Sequence, residues 1–419
     1  MNQFDIIIVG GGIAGLYCAY NLQDKFKILL LDKSNKLGGR IYTKTINVNG
    51  IQYNLETGAG RVSDIQKNTM GLIDELGLSD NLVKLPTKKK FISTKNIKYS
   101  YNTDDIFKEI IKISKKYKKI DLVNITFQKF VFSILKKKKA TYIYESFGYK
   151  SEFLTLNAYD AIKSFKTDLF YKNNYFGFKN GYSSIVEKLK DKLYNTNIQL
   201  NTKFTSYIKN NSKLIVSCKA DKKIIKYSTD KLIFALPSKQ LISIAYRLFN
   251  SKRVNKLLHS VKPEPLCRIY AIYEKNPHTG KVWFDNLGKI TTDNEIQYII
   301  PINKETGLIM ISYTDNIYAR YWNIVDKLGL LQETLHLKLK ELFPKIDIPN
   351  PIYLSCFYWR QGAHYFKTKV DSRKIIKNII KPFSTKEIYI CNEAYSMNQA
   401  WVEGSLTSAK NCIEKILNV

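Results

Sequence analysis

The sequence predicts an α/β fold, with a doubly wound nucleotide lobe interleaved with a second lobe of mixed sheet and helices. Three observations predict it. The chain opens on an apolar strand, a glycine-rich turn, a helix and a second apolar strand, which together make a βαβ unit. Apolar strands recur after the middle of the chain and again near its end, separated by segments of different character. At 419 residues the chain exceeds the size at which one hydrophobic core stops growing, so two intertwined lobes are expected.

Phe4 to Val9 reads as the first strand, Ile13 to Leu22 as the helix and Lys27 to Asp32 as the second strand. From Lys84 to Tyr175 the chain turns Lys- and Ile-rich with helical spacing, as in Ile106, Ile110, Ile111 and Ile113, and then Phe127, Phe130, Val131 and Ile134. This reads as a helical insertion. A turn over Phe176 to Tyr182, a helix over Ser184 to Leu193 and strands at Ile198 to Leu200, Leu214 to Ser217 and Lys231 to Leu236 mark a return to the nucleotide lobe. A second excursion carries strands at Cys267 to Tyr273, Ile296 to Ile300 and Leu308 to Tyr313, and a helix over Lys327 to Leu342 that stops before Pro344. A strand at Ile388 to Cys391 and a helix from Gly404, with Leu406, Ala409, Ile413 and Ile416 on one face, close the chain. The nucleotide lobe is thereby assigned residues 1–83, 176–245 and 355–419, and the substrate lobe residues 84–175 and 246–354.

Hydrophobic residues at 44% and charged residues at 25% match soluble globular domains and exclude wholesale disorder. No window offers 18 uninterrupted apolar residues, and Met1-Asn2-Gln3 runs straight into the first strand without a basic flank or cleavage site. A soluble, non-secreted, cytoplasmic protein is expected. The six cysteines are scattered with no C-x-x-C pair, and no His cluster has metal-ligand spacing, so reduced thiols and no structural metal are expected. The net charge of +31 would attract nucleic acid, an anionic membrane or acidic proteins. A competing explanation is favoured: the excess is mostly Lys beside heavy Ile, Asn and Tyr usage, as an AT-rich coding sequence produces. The runs Lys88 to Lys90, Lys115 to Lys119 and Lys136 to Lys139 read as solvated faces.

Gly10-Gly11-Gly12-Ile13-Ala14-Gly15 satisfies G-x-G-x-x-G between strand and helix. Gly10 permits the tight turn, Gly12 lets backbone approach a pyrophosphate and Gly15 allows close helix–strand packing, while the helix-start amides face the phosphates. Asp32 ends the second strand 22 residues after Gly10, with Lys33 beside it, where a carboxylate accepts hydrogen bonds from ribose hydroxyls. This Rossmann-like fingerprint names a dinucleotide without separating NAD from FAD.

Leu37-Gly38-Gly39-Arg40 comes next, and here the sequence resembles the flavin monoamine oxidase family, which also includes polyamine oxidases, histone lysine demethylases and L-amino-acid oxidases. The resemblance implies FAD in a glutathione-reductase-like lobe, with Gly38, Gly39 and Arg40 at its phosphate and ribityl region. Glu56-Thr57-Gly58-Ala59 resembles the family's segment passing close to the isoalloxazine ring, a plain turn being the alternative. Phe204 stands where a backbone usually binds adenine, and Ile233-Phe-Ala-Leu-Pro237 resembles a family strand ending in Pro. Cys391-Asn392-Glu393 followed by Trp401-Val402-Glu403-Gly404-Ser405 resembles the A-G-E and aromatic-x-E-G-A blocks, with Asn392 for Gly and Ser405 for Ala. By that match Glu393 binds ribityl hydroxyls, Trp401, Val402 and Ser405 lie at the ring, and the helix from Gly404 points its positive end at the flavin N1 and C2 carbonyl edge.

Trp359-Arg-Gln-Gly362-Ala363-His364-Tyr365 resembles the family's aromatic segment leading into G-G-C-Y. Tyr365 and Trp401 are then two aromatic walls of a substrate cage favouring an amine nitrogen; two core aromatics are the alternative. His364 stands where monoamine oxidases carry the Cys bonded to flavin, which excludes a thioether there; noncovalent FAD is expected, a histidyl bond to the flavin being the alternative. Arg268 stands where the family places a Lys holding a water near flavin N5. An Arg can contact the flavin, anchor a substrate carboxylate, displace that water and so reduce oxygen reactivity, or face solvent on an edge strand. The implied reaction is hydride transfer from a C–H next to a neutral amine to flavin N5, giving an imine, with O2 as acceptor and H2O2 as product. The chain is similar to compact amine oxidases of large DNA viruses and protists. Two other readings stand beside it: the same scaffold acting on a non-amine donor, as in desaturases or porphyrinogen oxidases, and an FAD-containing basic protein binding nucleic acid or a viral partner with little catalysis.

Overall fold

A computed structural model of the protein describes residues 1–95, 101–171 and 173–418. The nucleotide lobe is built on five parallel strands. Asn2–Val9 lies at the centre, with Ile28–Leu31 and then Thr196–Gln199 on one side, and the second half of Lys223–Phe234 and then Ile388–Ile390 on the other. Ile28–Leu31 is buried on both faces, as parallel strands covered by helices require, which is why it is an unbroken apolar run. The helix Ile13–Leu22 packs against the C-terminal helix Val402–Leu417, so the two ends of the chain close one layer together. The first half of Lys223–Phe234 continues into an antiparallel meander with Lys213–Ala220 and Thr202–Asn210.

The second sheet has six strands in the order Tyr353–Phe366, Val261–Ile272, Leu308–Asp315, Tyr298–Asn303, Lys289–Thr292 and Lys89–Ile92. The last two pair in parallel and the rest antiparallel, a mixed sheet as expected. Helices Asn316–Lys327 and Leu331–Leu342 cover one face through Trp322, Leu335 and Leu339, forming a core of their own with Ile269, Ile309 and Ile311. Helices between Thr103 and Tyr171 gather around Phe107, Phe127, Phe153 and Phe165, whose rings touch, and these join the nucleotide-lobe core.

Three expectations change. The segment from Lys84, expected to be helical, begins with strands Leu82–Leu85 and Lys89–Ile92, and only from Thr103 is it helical; within it, residues 96–100 and 172 lie outside the described residues. The Lys88 to Lys90 run is exposed, as a solvated face should be, but Lys89 and Lys90 lie on an edge strand, where Lys89 stands opposite Lys289 and ladder bonds override the poor strand propensity of lysine. The helix expected over Lys327 to Leu342 is a pair, Asn316–Lys327 and Leu331–Leu342, divided by Gly329 in a left-handed conformation. In addition, Tyr353–Phe366 pairs along Val261–Ile272, which puts residues 355–366 with the substrate sheet. Among the described residues no helix is long and apolar enough to cross a membrane.

Candidate active site

The glycines after the first strand do different jobs. Gly10 has φ +112°, a region closed to other residues, and a Cβ on Gly15 would collide with the Gly10 carbonyl, so helix and turn touch only because both are glycine. At Gly12 a Cβ would meet nothing within 4 Å: the backbone is bare where a pyrophosphate would approach. Ile13, Ala14 and Gly15 form the first turn of the helix, which has no side-chain cap and no acidic residue, leaving its amides for an external anion. Asp32 accepts from the Gly11 amide at 2.7 Å and the Ser34 amide at 2.8 Å, which pins the second strand's end to the glycine turn and leaves lone pairs for ribose. Lys33 beside it is exposed. Gly38 bonds back to Gly11, and Gly39 approaches Gly12, so the Gly38-Gly39-Arg40 turn lies against the same loop. These contacts fit a bound dinucleotide.

Arg40 then reaches across the sheet. Its Nη1 and Nη2 donate to the two oxygens of Glu393, each at 2.8 Å, and Nη1 also donates to the Gly362 carbonyl at 3.0 Å. His364 Nδ1 lies 2.7 Å from Glu393 Oε1, and the Ser238 amide donates to Nε2 at 3.4 Å. With Nε2 an acceptor, the proton sits on Nδ1 and is donated to Glu393. Burial by itself would raise the Glu393 carboxyl, but Arg40 and His364 hold it well below the usual carboxylate range. Glu393 is therefore committed first to protein groups; what it keeps for a ribityl hydroxyl is the spare capacity of Oε2. His364 is fully buried with both ring nitrogens engaged, so it is a support for Glu393.

The C-terminal helix starts at Val402 with Trp401 as its N-cap, two residues earlier than expected. Glu403, in its first turn, does not face a cofactor: it accepts from the backbone amides and side chains of Asn68 and Thr69, tying this helix to Lys67–Glu75. Val402 and Ser405 are buried beside it, and Phe204 is buried edge-on against Phe234. Gly58 sits against the Arg40 carbonyl, where any Cβ would collide, and the Ala59 amide donates to that same carbonyl at 2.9 Å. Gly58 and Ala59 are thus fastened to the Arg40 turn.

Around Trp401 stands a group of rings and cations that sequence reasoning reached only in part. Trp401 stacks on Tyr175, with centroids 6.1 Å apart and planes at 19°, and Arg61 sits over both rings at 5.1 and 5.0 Å. Tyr365 is buried, its phenol pushed well up by burial, and has Tyr149 and Tyr313 among its neighbours. Arg268 is buried on an interior strand of the second sheet, which rules out the solvent-facing alternative. It donates through Nη1 to the Glu56 carbonyl at 2.7 Å and lies 4.6 Å from the Tyr313 centroid, while its buried Nε has no partner. Arg61, Lys89, Lys289 and Tyr175 were missed. Arg61 alone left a local signal, two residues after Ala59; the others come from distant strands. An open surface hollow bordered by Lys239, Tyr246, Arg247 and His259 includes none of these residues.

The cysteines also converge in space. The sulfurs of Cys18, Cys391 and Cys412 lie within 4.8 Å of one another in the nucleotide-lobe core, and those of Cys267 and Cys356 are 3.2 Å apart on neighbouring strands. All six are free thiols, as expected.

Residues 8–76 match the sequence model of NAD(P)-binding Rossmann-like domains, and residues 135–417, more than half of the chain, match that of flavin containing amine oxidoreductases. The chain belongs to the flavin containing amine oxidoreductase family, and its dinucleotide is FAD. It is similar to an uncharacterized protein of Acanthamoeba polyphaga mimivirus, 23% identical over 100% of this chain and 94% of that one. A protoporphyrinogen oxidase of Dictyostelium discoideum is 26% identical over 75% of this chain and 74% of its own. A putrescine oxidase redesigned in its cofactor binding superimposes with a TM-score of 0.77 at 16% identity, covering 100% of this chain and 99% of its own, which shows the shared fold.

Proposed function

We propose that the protein is an FAD-dependent amine oxidase acting on a small molecule, with O2 as electron acceptor and H2O2 as product. The observation that supports this reading is a chain of contacts: Arg40 pairs with Glu393, Gly58 packs on the Arg40 carbonyl, and Arg61, three residues on, lies over the stacked rings of Trp401 and Tyr175, which we read as walls of a substrate hollow. Gly10, Gly12 and Gly15 with Asp32 would hold the adenosine diphosphate half of FAD, and Arg40 with Glu393 the ribityl side. When bound, FAD supplies a two-electron acceptor for a C–H bond next to an amine nitrogen. The chain's own work is to bind, orient and dry the substrate. Trp401 and Tyr365 would wall the reacting nitrogen, and burial there favours the neutral amine. Arg268 acts as a positioning residue, holding the Glu56 backbone at one edge of the hollow. The engagement of both His364 nitrogens supports noncovalent attachment.

A second reading, oxidation of a non-amine donor, is favoured by the likeness to protoporphyrinogen oxidase over three quarters of the chain. The test is to purify the protein, record its visible spectrum and screen amines, amino acids and a porphyrinogen for anaerobic bleaching and peroxide release. A yellow protein bleached by an amine is expected, with all flavin released by acid. Bleaching by porphyrinogen and by no amine would replace the first reading with the second.

A further inference from the structure

Four cations gather around the tyrosines of the hollow. Arg61 donates through Nη2 to the Tyr149 hydroxyl at 3.3 Å while lying over Trp401 and Tyr175. Tyr149 packs on Tyr298 at 4.9 Å and on Tyr313 at 5.4 Å. Over the Tyr298 ring lie Lys289 Nζ at 5.5 Å and Lys89 Nζ at 5.9 Å, from neighbouring parallel strands in which Lys89 stands opposite Lys289. Arg268 closes the group over Tyr313. Among the described residues none of the four forms an ion pair: Lys89 bonds only the Phe147 carbonyl, at 3.5 Å, and Arg268 keeps a buried Nε without a partner.

Among the described residues no carboxylate lies within ion-pair distance of them. Asp315 is held by the amides of Lys150 and Ser151, and Glu56 by the Tyr182 amide and the Thr43 hydroxyl. Asp104 and Glu152 act on Lys89 through space. Desolvation lowers Lys89 to about 8, Asp104 opposing the shift and Arg61 adding to it, and desolvation with Arg61 and Lys89 lowers Lys289 to about 7; Lys289 is half-buried and Lys89 exposed. Like charges brought together in a partly dry site repel one another, and a bound anion relieves the repulsion. A diamine or a simple monoamine would add to it.

We propose that this hollow takes a substrate carrying two acid groups, one held by the Arg61 fork beside Trp401 and Tyr175, the other by the Lys89–Lys289 pair. Arg61 offers the planar, two-pronged donor that suits a carboxylate, and the paired ammonium groups act as point charges on the more distant acid. Resting on the amine oxidase reading for the reacting group, the class is an α-amino dicarboxylate. The two acid subsites are read from the hollow itself.

The test titrates the FAD-loaded protein with glutarate, butyrate and cadaverine, each followed by the change in the flavin visible band. Glutarate should bind at least about tenfold tighter than butyrate, and cadaverine should bind most weakly. Lys289→Met should weaken glutarate about tenfold and leave butyrate unchanged, and Lys89→Met should repeat this should the first variant lose its flavin. Arg61→Met should weaken both acids. Equal binding of glutarate and cadaverine, or glutarate binding untouched in both lysine variants, would overturn the proposal. Anaerobic bleaching by L-glutamate or L-aspartate separates the two readings. Tight glutarate binding without bleaching by any amine keeps the acid subsites and fails the amine oxidase; bleaching by putrescine with no response to glutarate does the reverse.

Discussion

The proposed cofactor side and the proposed substrate side of the candidate site treat charge in opposite ways. Around Glu393 charge meets its complement inside the protein: Arg40 and Glu393 share two hydrogen bonds of 2.8 Å, and His364 takes a further place on the carboxylate. Across Trp401, Arg61, Lys89, Lys289 and Arg268 crowd against tyrosines with no carboxylate paired to them among the described residues. A closed network holds its own shape and presents a finished surface to a cofactor. An open one is completed by whatever binds it, so its composition describes the ligand.

The contrast is sharpest in Glu393→Ala, which strands Arg40 and His364. A loss of about 3–5 kcal/mol is expected from removing one partner of a buried pair, read by denaturant unfolding, with the protein isolated free of flavin. Because the folded Glu393 carboxyl is depressed, its contribution is present above the unfolded carboxylate range and fades as pH falls below about 4.5. Gly15→Ala comes next. Its new methyl must push the first helix off the Gly10 turn, an overpacking cost of about 1–3 kcal/mol, and flavin content should fall with it.

On the substrate side the sign with pH is reversed. Lys289 and Lys89 carry charge below their lowered values of about 7 and about 8, with Arg61, Tyr298, Asp104 and Glu152 as their charged and titratable surroundings. Glutarate affinity should therefore be greatest near pH 6 and fall about tenfold by pH 9 as the ammonium protons leave. The smallest effect on stability is expected from Arg61→Met, within about 1 kcal/mol and of either sign, since it removes an unpaired charge while keeping most of the stem. A loss as large as that of Glu393→Ala, measured by the same unfolding curve, would erase the distinction between the two sides.

The nucleotide lobe was legible because its determinants are local or carried by recognisable blocks. Gly10, Gly12 and Gly15 are close in sequence, the βαβ pattern frames them, and Glu393 and Trp401 stand in segments with their own spacing. The same reading placed Lys88 to Lys90 in a solvated face, as their exposure bears out, but nothing near Lys89 in sequence shows its strand partner. That partner, Lys289, is brought opposite it by parallel pairing across the helical insertion. Likewise Glu403 stands in a cofactor block by spacing, yet its carboxylate is spent on Asn68 and Thr69.

The sequence by itself determined the dinucleotide loop and the α/β plan and named candidate residues for FAD, since backbone conformation and helix-end electrostatics follow from residues a few positions apart. Only the tertiary structure decided which side chains satisfy one another. It turned His364 from a candidate attachment point into a support for Glu393, moved Arg268 from a possible edge to the interior, and set Arg61, Lys89 and Lys289 around one tyrosine cluster. Charge compensation depends on distances across the fold, which no local pattern encodes.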